Sequence, residues 1–124
     1  MRKVMIGLAM LAVLAPVAAQ AMTVSEFLAK ADALKAKGVF ALASSDFTLL
    51  KQEIDRASDA YRARLAAQVA AGKKPSSCPP PKGTAKVTSD DIIANFKSLP
   101  AARQKANVKY AFAAFMTNRY PCKA

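Results

Sequence analysis

The sequence predicts an all-α protein, a small bundle of about four helices in which one disulfide ties an inter-helix strap to the C-terminus. Three observations carry that expectation. Apolar residues recur at three- and four-residue steps over four stretches. The starts of these stretches bear Thr or Ser followed by acids, which is how helices begin. No stretch reads as a convincing strand.

The chain has 124 residues, within the range of one domain. Its first segment is expected to lie outside the fold. Met1-Arg2-Lys3 is a basic head, Val4 to Leu14 is an unbroken run of small and apolar residues, Pro16 ends it, and Ala19-Gln20-Ala21 offers small residues at a cleavage point. That is the pattern of a secretory signal peptide over residues 1–21. The run falls short of the roughly 20 apolar residues a spanning helix needs, so no stable membrane insertion is expected after cleavage. The mature domain, residues 22–124, would be exported in soluble form.

The first helix opens at Thr23-Val24-Ser25-Glu26, a capping-box pattern. Val24, Phe27, Leu28, Ala31 and Leu34 form its apolar stripe, and Gly38 suits its C-terminal cap. The second helix is the longest. Ser44 or Ser45 caps it, Asp46 complements its positive end, and Gly72 closes it. Phe47, Leu50, Ile54, Ala57, Tyr61, Leu65 and Val69 keep helical spacing along it. Lys51 with Asp55, and Glu26 with Lys30, sit four apart and read as solvated pairs. After a proline-rich stretch, Thr88-Ser89-Asp90-Asp91 restarts a helix whose buried face is Ile92, Ile93, Phe96 and Leu99. Pro100 interrupts it, and Ser98 can cap the next segment. Val108, Phe112, Phe115 and Arg119 trace the last helix, which stops at Tyr120-Pro121-Cys122.

Residues 72–88 divide the two helix pairs. Pro79-Pro80-Pro81 lacks the N–H groups that a helix or a central strand requires, so the segment is an extended strap. The chain holds two cysteines. In an oxidising compartment they pair, and the only pairing is Cys78 with Cys122. Closing a loop of about 45 residues contributes about 4 kcal/mol on the chain-entropy argument. A redox-catalytic pair would stand closer in sequence, so a structural staple is the expected role.

Charge is uneven. The chain carries 19 Lys and Arg against 8 Asp and Glu; without the leader the net charge is +9. Residues 22–59 sum to −1 and residues 60–124 to +10. Lys73, Lys74, Lys82 and Lys86 bracket the strap. Such a field steers anionic partners, or simply keeps a small envelope protein in solution. Export argues against nucleic acid, and the aromatics sit at core spacing instead of interleaving with cations as stacking platforms do.

Catalysis is not expected. With no histidine, Ser-His and Cys-His nucleophile pairs are excluded, and two cysteines cannot build a tetrahedral thiolate zinc site or an iron–sulfur cluster on one chain. Asp90 and Asp91 are adjacent on a helix start, so they do not face one substrate together. No cofactor and no metal are called for.

The C-terminal part carries a resemblance. It runs Cys78-Pro79, a loop, Thr88-x-x-Asp91-Ile92-Ile93 opening a helix, a proline-interrupted segment, and a final helix ending Phe115-x-x-x-x-Tyr120-Pro121-Cys122. This layout resembles the Rap/Tai family of immunity proteins, which bacteria with type VI secretion use against peptidoglycan amidase effectors. The resemblance spans Cys78 to Cys122. Before Gly72 it amounts to an early helix pair in a compatible place. Two stretches depart from the family pattern: Pro79-Pro80-Pro81-Lys82-Gly83 after the first cysteine, and Ala101-Ala102-Arg103-Gln104-Lys105 ahead of the last helix.

The resemblance implies a periplasmic, helical, disulfide-bonded protein that occludes a cell-wall amidase without catalysis. A +9 chain would then suit an effector with an acidic face around its groove. Family members are often homodimers, so the resemblance is compatible with a homodimer. Lys73, Lys74, Lys82 and Lys86 are the candidate contacts, because their strap is basic, proline-stiffened and tethered; a passive connection is the other reading of the same segment. Two further classes compete: a small disulfide-stapled periplasmic chaperone or stress protein, and a cationic binder of anionic envelope components.

Overall fold

The computed structural model describes residues 21–123. The expected leader, residues 1–21, lies outside the described residues save for Ala21. The described chain is all-α: α1 (Val24–Lys37), a 3₁₀ turn (Gly38–Ala43), α2 (Ser45–Ala70), α3 (Ser89–Ser98), the four-residue α4 (Ala101–Gln104) and α5 (Val108–Arg119). Among the described residues the nearest thing to a sheet is one isolated antiparallel bridge between Thr23 and Asn107.

The helix ends follow from local chemistry. Thr23 Oγ1 accepts the Glu26 N–H at 3.2 Å, one half of the expected capping box. The full reciprocal box is built at α3 instead, where Thr88 Oγ1 accepts the Asp91 N–H and the Asp91 carboxylate accepts the Thr88 N–H, both at 3.1 Å. Ser44 Oγ accepts the Asp46 N–H at the start of α2. Beyond the end of α2, Gly72 sits at φ 74°. There the N–H groups of Gly72 and Lys73 donate to Val69 O and Gln68 O, the paired bonds of a Schellman ending.

α2 is the spine. Its 26 residues span about 39 Å; α5 packs most extensively along it, α1 packs beside it, and α3 closes against α1 and α5. Val24, Phe96 and Val108 are fully buried at the centre. Phe27 meets Phe96 edge-to-face at 5.5 Å, and Tyr61 meets Phe112 the same way at 6.2 Å, the arrangement that the ring quadrupoles favour. The N–H of Val24 donates to Ala106 O and that of Val108 to Met22 O, each at 2.9 Å, which fastens the beginning of α1 to the α4–α5 turn. Every side chain of the described core cluster lies between Met22 and Met116.

Several expectations are corrected. Phe47 and Val69, placed on the buried stripe of α2 by spacing, are 39% and 59% exposed. Val69 lies in the last turn of α2, beyond its last buried residue Leu65, and Phe47 in the first turn lines an open groove that it shares with Phe27 and Leu34 of α1. Ser98 caps no following helix; its hydroxyl donates back to Asn95 O at 2.6 Å. The last carbonyls of α3 are instead met by Gln104, whose Nε2 donates to Leu99 O at 3.1 Å and Phe96 O at 3.4 Å. Neither four-apart charge pair forms an ion pair. Lys30 reaches across the hairpin to Asp46 at 3.4 Å. Arg119 turns outward from the stripe, pairs with Asp91 at 3.5 Å and donates to Lys86 O at 2.7 Å.

Candidate functional site

The strap leaves α2 at Gly72 and runs back beside it. Three sets of bonds hold it. At its beginning, Gln68 Oε1 accepts the Ser76 N–H at 2.8 Å. In its middle, Cys78 is bonded to Cys122 with Cα atoms 4.9 Å apart, as expected from the sequence, and the Cys78 N–H donates to Tyr120 O at 2.8 Å. Further on, Arg62 Nη2 donates to Pro80 O at 3.1 Å, and Lys82 Nζ pairs with Asp59 at 2.9 Å. A β-turn follows, in which the Thr84 N–H donates to Pro81 O and Gly83 takes φ 85°. That is the left-handed position at which a type II turn favours glycine.

Ser77 anchors all of this and has no counterpart in the sequence reading. It is 1% exposed, the one buried polar residue in the described chain. Its Oγ lies 2.6 Å from the Tyr61 hydroxyl and 2.9 Å from Tyr120 O. A carbonyl can only accept, so the single Ser77 hydrogen goes to Tyr120 O and the Tyr61 O–H donates to Ser77 Oγ. One serine thus joins α2, the strap and the end of α5. No local signal marks it, because a serine in a proline-rich run reads as loop.

The four candidate lysines do not converge. Lys73 and Lys74 are exposed at the C-terminal end of α2, Lys82 lies midway against Asp59, and Lys86 is beside Arg119. Lys73, Lys74 and Lys86 have no ion-pair partner among the described residues, whereas Lys82 is partly neutralised. The strap therefore presents a line of positive charge on a fixed backbone.

Two further features escaped the sequence reading. The 3₁₀ turn after α1 exposes Val39, Phe40 and Leu42. Beside it, an apolar groove of about 560 Å³ opens between α1, α2 and the start of α3, walled by Phe27, Leu34, Phe47, Ile54, Val87 and Ile93. Among the described residues no group of three His, Cys, Asp or Glu side chains comes together to hold a metal. No described helix is long and apolar enough to cross a membrane. Comparison of the chain with protein-family models, curated proteins and solved structures finds no match.

Proposed function

We propose that this is an exported, non-catalytic immunity protein that docks over a type VI-secreted peptidoglycan amidase in the periplasm and occludes its groove. The observation that carries the reading is the anchored strap. An extended segment held by a disulfide, a buried serine and a type II turn has little freedom left to lose, so docking it costs little ordering entropy. Its unpartnered Lys73, Lys74 and Lys86 supply charge complementary to an acidic rim, which speeds encounter and selects the partner. Location in the periplasm draws support from the disulfide, since the cytosol keeps thiols reduced. The family resemblance of Cys78 to Cys122 names the partner class.

The test is a pull-down from the native envelope with the oxidised 22–124 chain, washed at about 0.5 M salt, where exposed charges are largely screened. One retained cell-wall hydrolase, released by the double variant Lys73→Glu/Lys74→Glu, supports the reading. Many unfolded clients would point to the chaperone class. Loss of all binding once salt is added would point to a general polyanion binder. Either result refutes occlusion of a single enzyme.

A further inference from the structure

The end of the molecule opposite Lys73 and Lys74 has different chemistry. The turn Gly38–Ala43 reads Gly-Val-Phe-Ala-Leu-Ala, without one polar side chain. Val39, Phe40 and Leu42 are 82%, 79% and 72% exposed, the three most exposed large apolar residues in the described chain. Only Ala41 of the turn packs against the core cluster. A single exposed leucine is ordinary, but three large apolar side chains within four residues on a convex turn mark a contact surface.

The surroundings say what kind. Lys35 and Lys37, in the last turn of α1, have no ion-pair partner among the described residues. The acids closest in sequence are already engaged, Asp32 with Lys97 and Asp46 with Lys30. The apolar tip therefore has, among the described residues, two cations without a carboxylate partner at its α1 side, with Lys37 reaching Ser44 Oγ at 3.5 Å. A protein partner is usually specified by some hydrogen bonds at such a contact, and this turn has no side chain to make one. A bilayer asks for none. At the bilayer interface water still reaches the free backbone groups, and both ends of the turn are tied, with the Gly38 N–H donating to Lys35 O and the Ser44 N–H to Ala41 O at 3.0 Å.

We infer that the turn Gly38–Ala43 is a peripheral membrane contact, which inserts Val39, Phe40 and Leu42 into the interface of an anionic bilayer while Lys35 and Lys37 rest at the headgroup phosphates. Apolar insertion and basic attraction reinforce each other at such a surface. The contact is shallow and reversible, distinct from a spanning helix. α2 extends about 39 Å from this turn, so Lys73 and Lys74 lie at the far end of the helix from the contact. The inference stands independently of what the strap binds.

The chain has no tryptophan, so Phe40→Trp makes a single reporter. The protein used is the oxidised 22–124 chain, which contains every side chain of the core cluster described above. With vesicles of phosphatidylethanolamine and phosphatidylglycerol, the fluorescence of the Phe40→Trp protein shifts to the blue. A Tyr110→Trp control, at an exposed site on α5, does not shift. Phosphatidylcholine vesicles give a much weaker shift. In co-sedimentation, Phe40→Asp loses at least about tenfold in partitioning, and Lys35→Gln and Lys37→Gln each lose about fivefold. Because these residues are exposed, the variants keep the wild-type melting curve. No blue shift on anionic vesicles, or an equal shift at both tryptophans, overturns the inference. So does a lipid-free dimer by light scattering that Phe40→Asp dissociates, since the occupant of the turn would then be a second copy.

Discussion

Replacing Ser77 by alanine tests the joint that fixes the strap. The substitution removes the hydrogen bond to Tyr120 O and leaves the Tyr61 O–H, in a residue 4% exposed, without an acceptor. A stranded buried donor and a lost bond together cost about 2 kcal/mol. Tyr61→Phe is milder, at about 1 kcal/mol, because Ser77 still donates to Tyr120 O and loses only an incoming bond. The double variant is the sharper measurement. With both hydroxyls gone no donor is stranded, and Tyr120 O still accepts the Cys78 N–H at 2.8 Å. The double variant should therefore be more stable than Ser77→Ala alone, by about 1 kcal/mol, although it carries one more substitution. For a domain of this size Ser77→Ala lowers Tm by about 10 °C, and the double variant recovers about half of that. Thermal and urea unfolding of the four oxidised proteins, all with the disulfide intact, give the cycle. Additive losses, or a Ser77→Ala protein no less stable than Tyr61→Phe, would refute the assigned direction of the hydrogen bonds.

Two further outcomes are expected. Cys122→Ser opens a loop with a sequence separation of 44, which costs about 4 kcal/mol on the chain-entropy model; a melting curve that matches the oxidised wild type would sink the staple argument. The Asp91 carboxyl is held below its ordinary range, first by the hydrogen bond from the Thr88 N–H, then by the Thr88 side chain, with the Arg119 guanidinium adding to it. A depressed folded pKa means stability that is present above the unfolded value and is lost as pH falls through the folded one, so this contribution fades below about pH 4. Asp91→Asn should lower stability at neutral pH and flatten the acid limb of the stability–pH curve; an identical acid limb in variant and wild type counts against the role of the cap.

What the sequence made legible is what is local. Thr23, Thr88 with Asp91, Gly38 and Gly72 announce helix ends because capping is settled within four residues. The disulfide was legible because two cysteines admit one pairing. Ser77 was not, since its burial is decided by α2 and α5 meeting at Tyr61 and Tyr120, far away in the chain. Phe47 and Val69 were misplaced for a related reason. Periodicity identifies the apolar face of a helix but not which of its positions a partner closes over: Phe47 lines an open groove and Val69 lies past the last buried residue of α2, Leu65. The turn after α1 carried no period at all, so its exposed Phe40 left no mark on the pattern. Lys73, Lys74, Lys82 and Lys86 make a basic stretch in the sequence, but whether they converge depends on the path of the strap, which no spacing encodes.

The distribution of ion pairs bears on why the chain tolerates so much positive charge. Four carboxylates are engaged, Asp32, Asp46, Asp59 and Asp91, each with one cation on a different element, and all are solvent-facing pairs of small individual worth. The fold does not rest on them. Its main ties are the aromatic core, the disulfide and the Tyr61–Ser77–Tyr120 joint, none of which depends on the net charge. Uncompensated cations at Lys73, Lys74 and Lys86 therefore cost the native state only weak mutual repulsion, screened within about 10 Å at moderate salt. A protein stabilised in this way can vary its surface charge without rearranging its core. Neutralising those three lysines should then leave unfolding almost unchanged while altering whatever the strap binds.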